Sequence, residues 1–169
     1  MNIISYSSAG MPANEAERQK ATEASGLLNA VGDPTLMDLA RRARIHCRAE
    51  TALVCAVSHY NIFVIAQDRV RPGVFNRSTS FVSHLIQADA DALFVPSAKN
   101  DVRFASYPLV ESGDIDFYAA AGMRDEQGYL VGAMCVTSCQ PKLNWNIEDQ
   151  DFLRTCAVDA MQKVSRKSL

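Results

Sequence analysis

Few side chains in this sequence stand where they could hold or transform a ligand, and each has a plainer alternative role. His84 falls in "FVSHLIQAD", which reads as a short helix with Ser80 as its cap. Its imidazole could donate a hydrogen bond to a ligand, ligate a haem or metal, or bond to backbone. No second His, Cys or acid lies at metal-ligand spacing from it, so no metal site is expected. Asp101 and Arg103 flank Val102 in "NDVRF". They could recognise a polar ligand, or Asp101 could cap a helical turn and hold Arg103 in a local ion pair. Phe104 reads as a core plug. Phe117 and Tyr118 are neighbours on one predicted strand and so face opposite ways. Tyr118 is the better ligand contact, because a buried hydroxyl needs a partner; a helix carbonyl would also serve. Phe63 and Met134 could wall a pocket or simply fill the core.

The five cysteines are Cys47, Cys55, Cys135, Cys139 and Cys156, an odd number without a C-x-x-C pair. Most sit in apolar patterns and read as reduced core thiols. Cys135 and Cys139 share a face if their strand runs that far, and Cys55 could form a redox couple with Cys135. Nothing in the local sequence would lower a thiol pKa. No nucleophile–base or acid–acid arrangement stands out, so no catalytic residue is expected.

The totals bound the elements that must position these residues. A chain of 169 residues with 48% apolar and 21% charged residues suits one packed domain. The net charge of −2 argues against nucleic acid as a partner. Arg41, Arg42, Arg44 and Arg48 read as a solvated helix face. No apolar run approaches the roughly 20 residues needed to cross a bilayer. Residues 1–10 lack the features of a secretory signal, and a cytoplasmic location is expected.

Residues 1–12 read as a flexible N-terminus and 13–166 as a single domain. A polar helix is predicted from Glu15 to about Asn29, with Asn14 and Glu17 spaced as a capping box. Gly32-Asp33-Pro34 breaks it, and a second helix begins near Thr35. "TALVCAVS" (51–58) and "NIFVIAQ" (61–67) read as a hairpin. Residues 68–79 read as loop, 92–97 as a short strand, and 100–107 as a helical turn ending before Pro108.

Residues 114–136 form a second hairpin around Asp125-Glu126-Gln127-Gly128. Tyr129, Val131, Ala133, Cys135 and Thr137 are placed on one face of its return strand. Its Ala and Gly residues leave room for a closely packed helix or for a small ligand. A last helix opens at Asn146, with Phe152, Leu153, Cys156, Ala157, Ala160, Met161 and Val164 at helical spacing. This order predicts an α+β fold with an antiparallel sheet.

The pieces "SFVSHLI" (80–86), "FVPSAKNDVRFASYPLV" (94–110) and "DFYAAAGMRDEQGYLVGAMCV" (116–136), followed by an amphipathic helix, resemble a GAF domain of the stand-alone or amino-terminal bacterial sensory type. The resemblance covers roughly Ala13 to Val164. It implies a GAF/PAS-like antiparallel sheet of five or six strands, with the Cys55 strand central beside the Cys135 strand. Terminal helices would cover one face and form a homodimer. Residues 68–113, with their loops and short helices, would roof a small-molecule pocket on the other.

Five departures from the family pattern stand out, among them Ala120 for the Gly and Gly122 for the Pro of "RFYAG-x-P". The thiol of "FC-x-H" is replaced by Val82, the acid after Pro96 by Ser97, and the Arg of "RFYAG-x-P" by Asp116, which reverses a charge. The residue set of cyclic-nucleotide-binding members is not evident, and no cysteine matches a bilin-attachment context. The implied ligand-binding residues are Phe63, Val82, His84, Asp101, Arg103, Asp116, Tyr118 and Met134, with the cofactor unspecified. The resemblance implies a non-enzymatic sensor whose unidentified small-molecule ligand is read out by a separate signalling partner protein. The alternatives are a dimerisation module with a degenerate pocket and a thiol enzyme of the methionine sulfoxide reductase kind.

Overall fold

The computed structural model describes residues 6–167. Part of the N-terminal stretch predicted to be flexible, residues 1–5, lies outside the described residues. Among the described residues, six strands form one sheet: β1 (Thr51–Val57), β2 (Asn61–Asp68), β3 (Val74–Asn76), β4 (Ala92–Val95), β5 (Phe117–Arg124) and β6 (Leu130–Ser138). The order is β3-β2-β1-β6-β5-β4 and every neighbour pair is antiparallel. The strands of Cys55 and Cys135 are thus adjacent at its centre, as expected.

Helices α1 (Glu15–Ala24), α2 (Pro34–His46) and α5 (Ile147–Lys167) cover one face. The Asp33 side chain accepts from the Thr35 and Leu36 amides and starts α2, which buries Leu36, Leu39, Ala40 and Ala43. Asn146 and Asp149 cap α5 reciprocally, each side chain accepting from the other's amide. The apolar stripe of α5 then lies on β5, β6 and α2. The other face carries α3 (Val82–Gln87), α4 (Pro108–Glu111) and the turns between them. We call this second layer the lid.

Several local expectations need correction. The first helix stops at Ala24, because Gly26 turns left-handed (φ +80°) and a short 3-10 turn, Leu27–Asn29, follows. Asn14 makes no side-chain cap. Ser80 does not cap α3; Phe81 stands at the N-cap position. Residues 68–79 include the short edge strand β3 and a 3-10 turn, Arg77–Thr79. The helical turn expected before Pro108 is present, with the Phe104 and Ala105 amides donating to the Asp101 carbonyl, and Pro108 then opens α4.

The return strand β6 also changes face part-way. Met123 pairs with Gly132 and Arg124 with Leu130, so Val131 is an extra residue in a bulge. Val131 therefore packs with the helices, and Leu130 joins Ala133 and Cys135 on the lid side.

The small residues of the β5–β6 hairpin serve close packing on both faces. A Cβ on Gly132 would stand 2.0 Å from the Cys55 carbonyl oxygen and 3.0 Å from the Leu27 side chain. Ala119 and Ala121 lie in the helix-side core, Ala120 and Ala133 in the lid-side core.

Candidate functional site

Aromatic rings organise the space between lid and sheet. Phe81 of the lid stacks on Tyr118 of β5 (centroids 4.7 Å apart, 16° between planes) and on Phe104 (4.6 Å, 21°). Tyr107 closes edge-on against Phe81 and Phe104. All four are buried, and the rings occupy the volume expected for a ligand.

Polar atoms are set at two depths within this cluster. Deep in it, the Tyr118 hydroxyl is hydrogen-bonded to Cys135 Sγ at 3.1 Å. A hydrogen bond with Cys135 and burial push the Cys55 thiol well up, and burial does the same to the Tyr118 phenol. Nearer the surface, His84 Nε2 lies 2.8 Å from the Tyr107 hydroxyl. That hydroxyl also donates to the Ser7 carbonyl at 3.3 Å. Burial and then the charge of Arg103 hold His84 below its usual range. It is a neutral group bonded to a side chain, where the plain alternative was a bond to backbone.

The remaining candidates divide. Val82 is buried in the lid core. Asp101 and Arg103 form a two-pronged ion pair (3.0 and 2.7 Å) at the exposed rim, with Arg103 lying over the Phe104 ring. Asp101 also accepts from the Arg103 amide, as a cap would. Asp116 is buried and accepts from Ser97 Oγ and the Lys99 amide, both at 3.0 Å. Ser97 and Asp116, two of the departures from the family pattern, are thus bonded to each other across the turn.

Phe63 and Met134 are corrections. Both pack with the helix-side core, because strand alternation places them opposite Tyr118 and Cys135. Cys139 lies beyond the end of β6 and donates to Glu50 at 3.2 Å, which with burial raises its pKa. The buried Cys47 and Cys156 thiols are pushed up to about 12 and about 11, chiefly by burial. Such thiols are poor nucleophiles.

Sequence reasoning missed a buried charge cluster at the end of the sheet. The Glu15 carboxylate accepts from Arg18 (2.9 Å twice) and from both terminal nitrogens of Arg77, with His59 Nδ1 at 3.3 Å. Only the polarity of the first helix hinted at it. Two clefts, of about 640 and 240 Å³, lie elsewhere, where the C-terminal half of α5 meets the β5–β6 turn.

The sequence model of the GAF domain family matches residues 33–164. The chain belongs to the GAF domain family. Its α1 precedes the matched residues. No curated protein matches the sequence.

Among solved structures, this GAF domain is similar to the PixJ GAF domain of Thermosynechococcus elongatus in its blue-light absorbing form. The TM-score is 0.65 at 14% identity, over 94% of this chain and 91% of that one. It is likewise similar to the GAF domain of an Acinetobacter phosphoenolpyruvate-protein phosphotransferase (TM-score 0.63, 12% identity, 94% and 96% covered). The chromophore-binding domain of the R. palustris bacteriophytochrome RpBphP3 is a third relative (TM-score 0.58, 15% identity, 93% of this chain). The chain spans 62% of that domain's length. Among the described residues, no helix is long and apolar enough to cross a membrane.

Proposed function

We propose that this GAF domain is a small-molecule-sensing regulatory module that acts in signal transduction through a partner protein. One observation carries the reading: the centre of the lid meets the sheet through ring stacking, Phe81 against Tyr118, while backbone bonds such as Arg77 amide to Tyr60 and Ala98 amide to Asp116 tie only its margins. A centre held by side chains can exchange those contacts for contacts with a ligand without breaking the sheet. Val82, His84 and Tyr118 are its candidate contacts, with Asp101 and Arg103 at the rim and Asp116 shaping the adjoining turn. The relatives in photoreceptors and in a phosphotransferase support a regulatory role of this general kind. The ligand acts only if it prefers one lid arrangement over another. A homodimer through the terminal helices, in the cytoplasm, is the form in which we expect it to work.

Thermal-shift screening across nucleotides, oxyanions, amino acids and tetrapyrroles tests the reading. A ligand present at a hundred times its Kd adds ~2.7 kcal/mol, roughly 5–10 °C for a domain of this size. Tyr118→Phe and His84→Ala should reduce that shift. A flat response throughout counts against the sensor.

The occupied ring cluster favours a second reading, a dimerisation or interaction module whose pocket is degenerate. A flat screen together with a dimer by light scattering would select it. A monomer at high concentration would reject it.

A further inference from the structure

The lid touches the N-terminal helix and its lead-in at two separate places. The first is the buried charge cluster. Glu15, the first residue of α1, is 8% exposed, Arg18 2% and Arg77 3%. Arg77 opens the 3-10 turn that leads into α3, four positions before Phe81. Both arginines spread their remaining donors over the end of β1 and its neighbours. Arg18 donates to the Val57 and Leu130 carbonyls (2.7 and 3.2 Å), Arg77 to those of Ser58 and His59 (3.0 and 3.3 Å). One carboxylate is thereby shared between a helix on one side of the sheet and the root of the lid on the other. The second contact is the lead-in itself: Tyr6 packs edge-on against Tyr107 at 5.5 Å, and Ser7 accepts from its hydroxyl. That Tyr107 also carries the bond to His84.

We propose that α1 and its lead-in are the output element of the domain, and that Arg77–Glu15 is the contact through which the state of the lid sets the docking of α1. If the lid root moved alone, Glu15 would keep Arg18, but the buried Arg77 would lose its carboxylate partner, and that cost ties the lid root to α1. Arg18 cannot substitute for Arg77, because it sits on α1 itself and moves with Glu15. α5 packs on β5, β6 and α2, and it stays in place when the lid moves. α1 precedes the residues that the family model matches. The proposal rests on reading the lid as the regulated layer, but not on any ligand.

The test is a double-mutant cycle read by hydrogen–deuterium exchange on the ligand-free full chain. Phe81→Ala should loosen the lid and speed exchange about tenfold in both 77–87 and 15–24, leaving 147–164 unchanged. With Arg77→Met in place, 15–24 should already be fast, and adding Phe81→Ala should change it less than twofold. If circular dichroism shows that either variant fails to fold, Phe81→Leu and Arg77→Lys replace them in the same cycle. Faster exchange in 77–87 without change in 15–24 overturns the proposal, as does an equal response in 147–164. A blank ligand screen does not bear on this result, and loss of coupling does not bear on ligand binding.

Discussion

At Glu15, burial and neighbouring charge act against each other. Burial pushes the carboxyl up, and the hydrogen bonds and charges of Arg18 and Arg77 outweigh it, bringing the pKa from 4.5 to about 2. His59 faces the same carboxylate. A carboxyl depressed on folding contributes stability that is fully present above its unfolded pKa. That contribution is lost as pH falls from about 4.5 towards about 2. Glu15→Gln should therefore cost on the order of 3 kcal/mol in urea unfolding at pH 7, and the gap to wild type should close over that acid window. A gap that stays constant from pH 7 to pH 2 would refute the assignment. The neighbours of Glu15 were not legible in the sequence: Arg77 lies 62 positions away, and nothing local marks it as buried. Asp101 and Arg103 were legible as a pair, because residues two apart in a turn meet whatever the rest of the chain does.

The strands and helices were predictable where periodicity was long and one-sided, as in α2, α5 and the β5–β6 hairpin. β3 was missed because it is three exposed residues after a Pro-Gly turn, paired only to β2, so it carries no alternation to read. The bulge at Val131 was missed for a related reason. Alternation assumes an unbroken ladder, and the slip is set by the partner strand. Gly132 beside it has a testable role. With its Cβ position 2.0 Å from the Cys55 carbonyl oxygen, Gly132→Ala must push β1 and β6 apart. The expected cost in urea unfolding is about 3 kcal/mol or more, as for other strongly overpacked core sites. A loss below 0.5 kcal/mol would show that the strands can separate freely there.

The whole molecule is a sheet with two unequal covers. Helices with long apolar stripes close one side, and short elements joined by side-chain contacts close the other. Native-state hydrogen exchange should follow that difference. Amides of β1 and β6 at the sheet centre should exchange slowest, those of the lid faster, and those at the edge strand β3 fastest among the strands. Uniform exchange across the sheet would contradict this ordering.

By itself the sequence determined the class of the fold, the central strands and the family likeness, because these depend on local hydrophobic period and on motifs read along the chain. It also set Phe117 and Tyr118 on opposite faces of one strand and Asp101 beside Arg103. Only the tertiary structure decided that the volume over the sheet is filled by stacked rings, that Phe63 and Met134 face away from it, and that Glu15 is shared between α1 and the lid. Those outcomes depend on which distant residues meet, and side-chain volume and charge pairing across a sheet leave no periodic trace in the chain.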